Sequence, residues 1–185
     1  MRRPRLHFRI GAGGVLLLAA LCFILTLDEL AALLLACAVH EAGHIAAIRL
    51  TGGRVRELTI GAAGAVIERS ESRSRLAEAV CAASGPAAGA IYALAASALG
   101  RALGSDMLAT SAGMSLVLSA FNSLPVLPLD GGRVLECVTG RRAAAVCSLA
   151  AASLVLLTGI ILAASDYGIA LLIAGAVLMV QQAGV

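Results

Sequence analysis

The chain has 185 residues, of which 60% are hydrophobic and 14% charged, with a mean hydropathy of +0.96. A soluble domain is nearer half apolar and a quarter charged, so this composition excludes an ordinary soluble globule and leaves nothing long and polar for a separate soluble domain. The formal net charge of +3 is carried by fourteen arginines without a lysine; spread over three flanks of apolar segments, they read as topology determinants and not as a nucleic-acid surface.

Six apolar segments follow one another, at 10–27, 29–50, 76–100, 106–124, 143–165 and 167–185. A bilayer-crossing helix needs roughly 20 apolar residues. The expected fold is therefore an all-α polytopic membrane protein of about six transmembrane helices, a single domain over 1–185. The first segment follows Arg2, Arg3, Arg5 and Arg9. It is long and lacks a small-x-small cleavage site, so it reads as an uncleaved span and not as a signal peptide.

The second segment contains His40, Glu41 and His44, an H-E-x-x-H pattern inside the apolar run Leu30 to Leu50. Imidazoles and carboxylates are costly in hydrocarbon, so their presence there points to function. On a helix, positions 40 and 44 share one face. Two imidazoles so placed can grip one metal ion, with Glu41 beside it to handle a proton.

Loop 51–75 interleaves Val55, Leu58, Ile60, Val66 and Ile67 with polar and small residues around Gly61 and Gly64. That pattern suggests a small membrane-associated β-hairpin; a plain surface loop is the alternative. The third segment carries Ser84, Gly85 and Pro86, where a proline kinks a helix. The fourth ends in Asn122-Ser-Leu-Pro125-Val-Leu-Pro128-Leu-Asp130-Gly131-Gly132-Arg133. Pro125 and Pro128 end or break the helix, and Gly131 with Gly132 allows an unusual turn. Five cysteines, at 22, 37, 81, 137 and 147, show no paired spacing, so reduced, mostly buried thiols are expected.

Arginine placement orients the spans. The N-terminal flank, loop 51–75 with Arg49 at its edge, and loop 125–142 together hold thirteen arginines, against Arg101 alone on the other side. This positive-inside bias puts both termini in the cytoplasm of a multi-pass cell-membrane protein. The second span then runs outside to inside. At ~1.5 Å per residue, His44 lies ~9 Å and His40 ~15 Å from its cytoplasmic end. The fourth span runs the same way and brings Asp130 to the same side.

A hydrolytic zinc site needs three protein ligands and one open position. His7 lies in the basic flank and reads as a solvated residue. Cys37 is one turn before His40, but H-E-x-x-H sites usually draw the last ligand from elsewhere. Asp130 is the better third ligand. Nitrogen and oxygen donors in a hydrolytic site favour Zn²⁺, one per chain. Asn122 either bonds the substrate backbone or oxyanion, or ends the helix as a cap.

These two segments together resemble the site-2 proteases, zinc metalloproteases that cut within membranes. That family pairs H-E-x-x-H with a later L-D-G, here His40-Glu41-Ala-Gly-His44 and Leu129-Asp130-Gly131. The spacing from Asn122 to Asp130 and the Gly85-Pro86 pair also match, so the resemblance covers about residues 36–140. It implies His40, His44 and Asp130 as ligands, Glu41 as catalytic acid–base, and Gly85, Pro86, Pro125, Pro128 and Gly131 as structural neighbours of the site. It also implies a single-span or membrane-associated protein substrate, an inhibitory membrane protein as partner, and release or maturation of a transcription factor. The chain is expected to carry neither the PDZ domain of many members nor a C-terminal CBS pair. Its compact core is most similar to the sporulation branch, that of stage IV sporulation protein FB, which matures a sigma factor precursor and usually has the CBS region. A proteolytically inactive membrane-segment-binding scaffold, a metal transporter and a purely structural membrane protein are the alternatives from other classes.

Overall fold

The computed structural model describes residues 7–61, 64–69 and 74–182. Arg2, Arg3, Arg5, Arg73, the centre of the expected turn at 62–63 and the end of the last apolar segment lie outside them. Within them the order is β1 (His7–Ile10), α1 (Ala12–Ile24), α2 (Leu27–Leu50), β2 (Val55–Gly61), β3 (Gly64–Arg69), α3 (Arg75–Leu103), α4 (Asp106–Asn122), α5 (Asp130–Thr139), α6 (Arg141–Ala164) and α7 (Ala170–Gln182).

Local chemistry fixes the helix ends. Thr26 and Glu29 form a capping box at the start of α2: the Glu29 N–H donates to Thr26 Oγ1 at 3.3 Å, and the Thr26 N–H to Glu29 Oε2 at 2.9 Å. Ser74 and Ser105 cap α3 and α4. Gly104, with φ of 63°, takes the left-handed turn between them.

Three helices, α2, α3 and α6, are long and apolar enough to cross a membrane. The segments expected to span at 10–27, 106–124 and 167–185 are shorter: α1 and α7 have 13 residues each and α4 has 17. At ~1.5 Å per residue these reach ~20–26 Å, against a hydrocarbon core of ~30 Å. The first gives Ile10 to β1 and Gly11 to the N-cap at its start, and ends at Ile24 because Thr26 and Leu27 open α2. The fourth is ended at Asn122 by the proline segment.

The packing suits lipid. Leu16, Phe23, Leu94, Leu154 and Val180 face outward, whereas Ala32, Ala36, Ala82, Ala112, Ser111 and Ser115 are buried. Small residues inside let helix backbones approach, which is how helices associate without a hydrophobic drive between them. Gly43 of α2 shows how close: a Cβ there would stand 2.5 Å from the Ser84 carbonyl oxygen of α3.

α2, α3 and α4 form one packed group, α6 and α7 another, and α5 bridges α3 and α6. Tyr92 of α3 and Ala32 of α2 both hydrogen-bond Ser111 of α4, while His44 meets Cys81. α2 and α4 therefore run parallel, with α3 antiparallel between them.

A three-stranded sheet in the order β1-β2-β3 lies beside the helices. β2 and β3 pair antiparallel, Leu58 opposite Ile67 and Ile60 opposite Ala65, with a bulge near Val55 and Glu57. β1 pairs parallel with β2, His7 opposite Glu57. Reading His7 as part of a solvated flank missed this strand. A parallel neighbour requires a crossover, and α1 with α2 supplies it: one helix leads away from the sheet and the next returns.

Candidate metal centre

His40 and His44 lie one turn apart on α2, and Asp130 opens α5. Ninety residues of chain separate His40 from Asp130, yet their side chains meet. His40 Nε2 is 3.1 Å from Asp130 Oδ2, His44 Nε2 is 3.2 Å from the same oxygen, and the two Nε2 atoms are 3.1 Å apart. All three side chains are nearly buried, at 6%, 12% and 10% exposure. The three could hold a metal ion.

The donor chemistry tests that fit. The Cys81 carbonyl can only accept, so the 2.8 Å contact with His44 Nδ1 requires a hydrogen on Nδ1. In the neutral ring this turns the Nε2 lone pair inward. Two acceptor atoms, His44 Nε2 and Asp130 Oδ2, then lie 3.2 Å apart in a buried setting with His40 Nε2 beside them, and a cation held by the three side chains would relieve that contact. A tetrahedral ion with bonds of ~2.0–2.2 Å sets its ligands roughly 3.3–3.6 Å apart; the observed triangle is close to that size before any adjustment. The carbonyl that orients His44 is the kind of outer partner metal-bound histidines use.

Glu41 is not one of the converging ligands. It is partly buried and within electrostatic reach of His44, His40 and Asp130. Cys37 is not among the converging atoms either.

α3 is shaped to the site. Gly85 packs on the His44 ring so closely that a Cβ would overlap Nε2 and lie 2.5 Å from Cε1. Pro86, also buried, follows inside the helix. It has no N–H to give the Ala82 carbonyl one turn back; the Cys81 carbonyl beside it accepts from Ser84 Oγ at 2.7 Å as well as from His44.

The proline segment delivers Asp130. α4 stops at Asn122, whose Nδ2 donates back to the Leu118 carbonyl at 2.9 Å. No hydrogen bond among the described residues joins Asn122 to the cluster. Pro125 and Pro128 face outward while Val126 is fully buried against Ala152 and Leu178. Ser148 of α6 accepts the Leu127 N–H at 2.7 Å and donates to Gln182 Oε1 of α7 at 2.6 Å; Gln182 Nε2 donates to the Leu127 carbonyl. Buried irregular backbone must be satisfied by protein, and here two side chains satisfy both polar groups of the buried Leu127. The expected role of the glycines changes. Gly131 and Gly132 are not in a left-handed turn; they form the first turn of α5. Their small size is what counts: a Cβ on Gly131 would lie 2.5 Å from the Leu124 carbonyl oxygen, and one on Gly132 would lie 2.5 Å from the Val126 carbonyl carbon. Arg133 in the same turn bonds Glu78 of α3 at 3.0 Å.

The sequence reading missed Cys81, Ser148 and Gln182. A backbone carbonyl leaves no trace in side-chain type. Gln182 did carry a signal, as an amide at the end of an apolar run. Ser148→Ala should leave the buried Leu127 N–H without its partner and destabilise the fold by ~1–3 kcal/mol; unfolding of the purified protein in detergent measures it.

The chain shares its fold with a site-2 protease. The Site-2 Protease from Methanocaldococcus jannaschii aligns with a TM-score of 0.72, over 100% of this chain and 92% of that one, at 16% sequence identity. Neither a family model nor a curated relative matches the sequence. At that identity the likeness is one of fold.

Proposed function

We propose that the chain is a zinc-dependent intramembrane endopeptidase of the site-2 protease type. The observation that carries this is the convergence of His40, His44 and Asp130 on one buried point, with Glu41 alongside, inside a bundle whose surface is apolar. His40 Nε2, His44 Nε2 and Asp130 Oδ2 would hold the ion. Bound there, Zn²⁺ supplies a lowered pKa for water and polarisation of a carbonyl.

The chain's own residues do the rest. A Glu41 carboxylate oxygen takes the proton of the attacking water and passes it to the leaving amine. Cys81 and Gly85 fix the His44 ring. The Ser148–Gln182 clamp and the Arg133–Glu78 pair fix Asp130 from two sides. Asn122 ends α4 and keeps a second Nδ2 hydrogen for a substrate carbonyl.

The substrate is a membrane-spanning or membrane-associated protein. A helix hides its carbonyls in its own hydrogen bonds, so the cleaved segment must be extended. β3 has one neighbour, β2, among the described residues, and strand addition at its outer edge would hold such a segment. Parallel pairing of β1 with β2 supports placing the N-terminal flank and loop 51–75 on one side, where the arginine bias puts the cytoplasm. On that basis the protein is a multi-pass cell-membrane protein with cytoplasmic termini, cutting near the inner face. Resemblance to the sporulation branch makes a membrane-associated transcription factor, such as a sigma factor precursor, the substrate class to try first.

The test is metal content together with co-expression of single-span or membrane-associated transcription factor precursors. One bound zinc per chain and cleavage that a chelator stops are expected. A metal-free protein would overturn the reading, and bound metal without cleavage of any such substrate would leave a binding scaffold in its place.

A further inference from the structure

The two histidines are not equally supported. His44 has its outer nitrogen bonded to Cys81, whereas His40 Nδ1 is buried without a hydrogen-bond partner. Among the described residues only two other buried side-chain polar atoms share that condition, Ser119 Oγ and Gln181 Oε1. Gln181 is on α7, the helix whose neighbour Gln182 clamps the proline segment. Ser119 is on α4, which packs directly on α2.

Two routes through the fold put Ser119 at the level of His40. The first follows the parallel helices. Ser111 bonds the Ala32 carbonyl, and His40 and Ser119 each lie the same number of residues further along. At ~1.5 Å per residue both are ~12 Å past that contact. Ala32, Ala36 and His40 are buried along α2, as Ser111, Ser115 and Ser119 are along α4, so the two rows face inward in step. The second route uses α3. Gly85 touches the His44 ring, and a Cβ on Gly89, one turn later, would collide with Ser119 Oγ. Because α3 runs antiparallel to α2, one turn on from His44 along α3 is the level of His40.

We propose that the Ser119 hydroxyl is the outer partner of His40 Nδ1, reached through one bridging water. This rests on the metal-site reading above. The pair is too far apart or misaligned for a direct hydrogen bond, and both atoms are buried polar groups that stay costly unless paired. A water with two such partners is of the kind that buried polar sites retain. Bonded this way, Nδ1 carries the hydrogen and Nε2 presents its lone pair to the metal. Gly89 leaves the notch in which the hydroxyl sits. Ser119 is thus a positioning residue that does for His40 what the Cys81 carbonyl does for His44.

The full chain in detergent, wild type, Ser119→Ala and Ser115→Ala, is titrated with zinc against a chromophoric chelator and with Co²⁺ for its visible absorption. Ser115 donates to the Gly89 carbonyl one turn away, so it reports packing in the same row. Ser119→Ala should bind zinc roughly 10–100-fold more weakly and shift the Co²⁺ bands, while Ser115→Ala keeps both. Equal affinities and spectra for all three, or an equal loss in both variants, would overturn the assignment. A wild type that binds no metal would instead overturn the metalloprotease reading beneath it. Should Ser119→Ala not fold, nitrogen NMR of the zinc-loaded, histidine-labelled wild type decides: a protonated Nδ1 of His40 exchanging magnetisation with a bound water supports the bridge, and a His40 Nδ1 without that exchange refutes it.

Discussion

Glu41→Gln is expected to slow peptide cleavage severely and leave the metal in place. Gln keeps the shape of the side chain and removes its capacity to take a proton at neutral pH. The three convergent ligand atoms come from His40, His44 and Asp130, and none from Glu41, so the ion's binding set is untouched. General acid–base groups contribute typically ~10²–10⁴-fold to rate, so cleavage should fall by that factor. Metal content by elemental analysis and cleavage of a co-expressed single-span substrate measure the two halves separately. Undiminished cleavage would remove Glu41 from the chemistry. Loss of metal together with cleavage would mean that Glu41 supports the ligand set and not the proton transfer.

How far the site could be read in advance depended on what each part is made of. His40, Glu41 and His44 are legible because helical spacing alone puts the two imidazoles on one face. Asp130 is legible through span parity: two spans running the same way end on the same side. The six apolar segments also correspond to helices, but their lengths were not legible. Hydropathy does not register that residues near the first segment join a sheet, or that Asn122 and the prolines stop the fourth early. β1 was hidden because four residues among arginines carry too little alternation, and its partner is more than forty residues away. Gly131 and Gly132 show a different limit. Sequence says that glycine is needed there; only packing shows that the need is for space beside Leu124 and Val126 and not for a left-handed backbone. Ser148 and Gln182 lie on helices that look like plain spans, and their roles arise from a loop they meet only in the folded chain.

Gly85→Ala carries the second large effect, and its sign follows from two opposing terms. In a helix interior alanine is favoured over glycine by roughly 0.8–1.0 kcal/mol, so on propensity alone the change should stabilise α3. The added methyl, however, would stand 2.5 Å from Cε1 and 2.7 Å from Cδ2 of His44 and overlap Nε2. Something must move, and the choice lies between the helix backbones and the ring. The backbones are locked at the same level by Gly43 against the Ser84 carbonyl, so the ring yields. Swinging it away breaks the Nδ1 bond to Cys81 and takes one of three ligands out of reach of the ion. The expected result is a folded protein, with helix content and, in the metal-free form, unfolding temperature near wild type, that has lost zinc affinity by at least about 100-fold, beyond the usual cost of an outer partner, and its cleavage with it. Gly43→Ala is the contrast: its methyl meets α3 backbone, so it should lower stability by ~1–3 kcal/mol through overpacking. A Gly85→Ala protein that holds zinc as tightly as wild type would show that His44 is not confined by α3, and with it that the third helix shapes the bundle but not the metal centre.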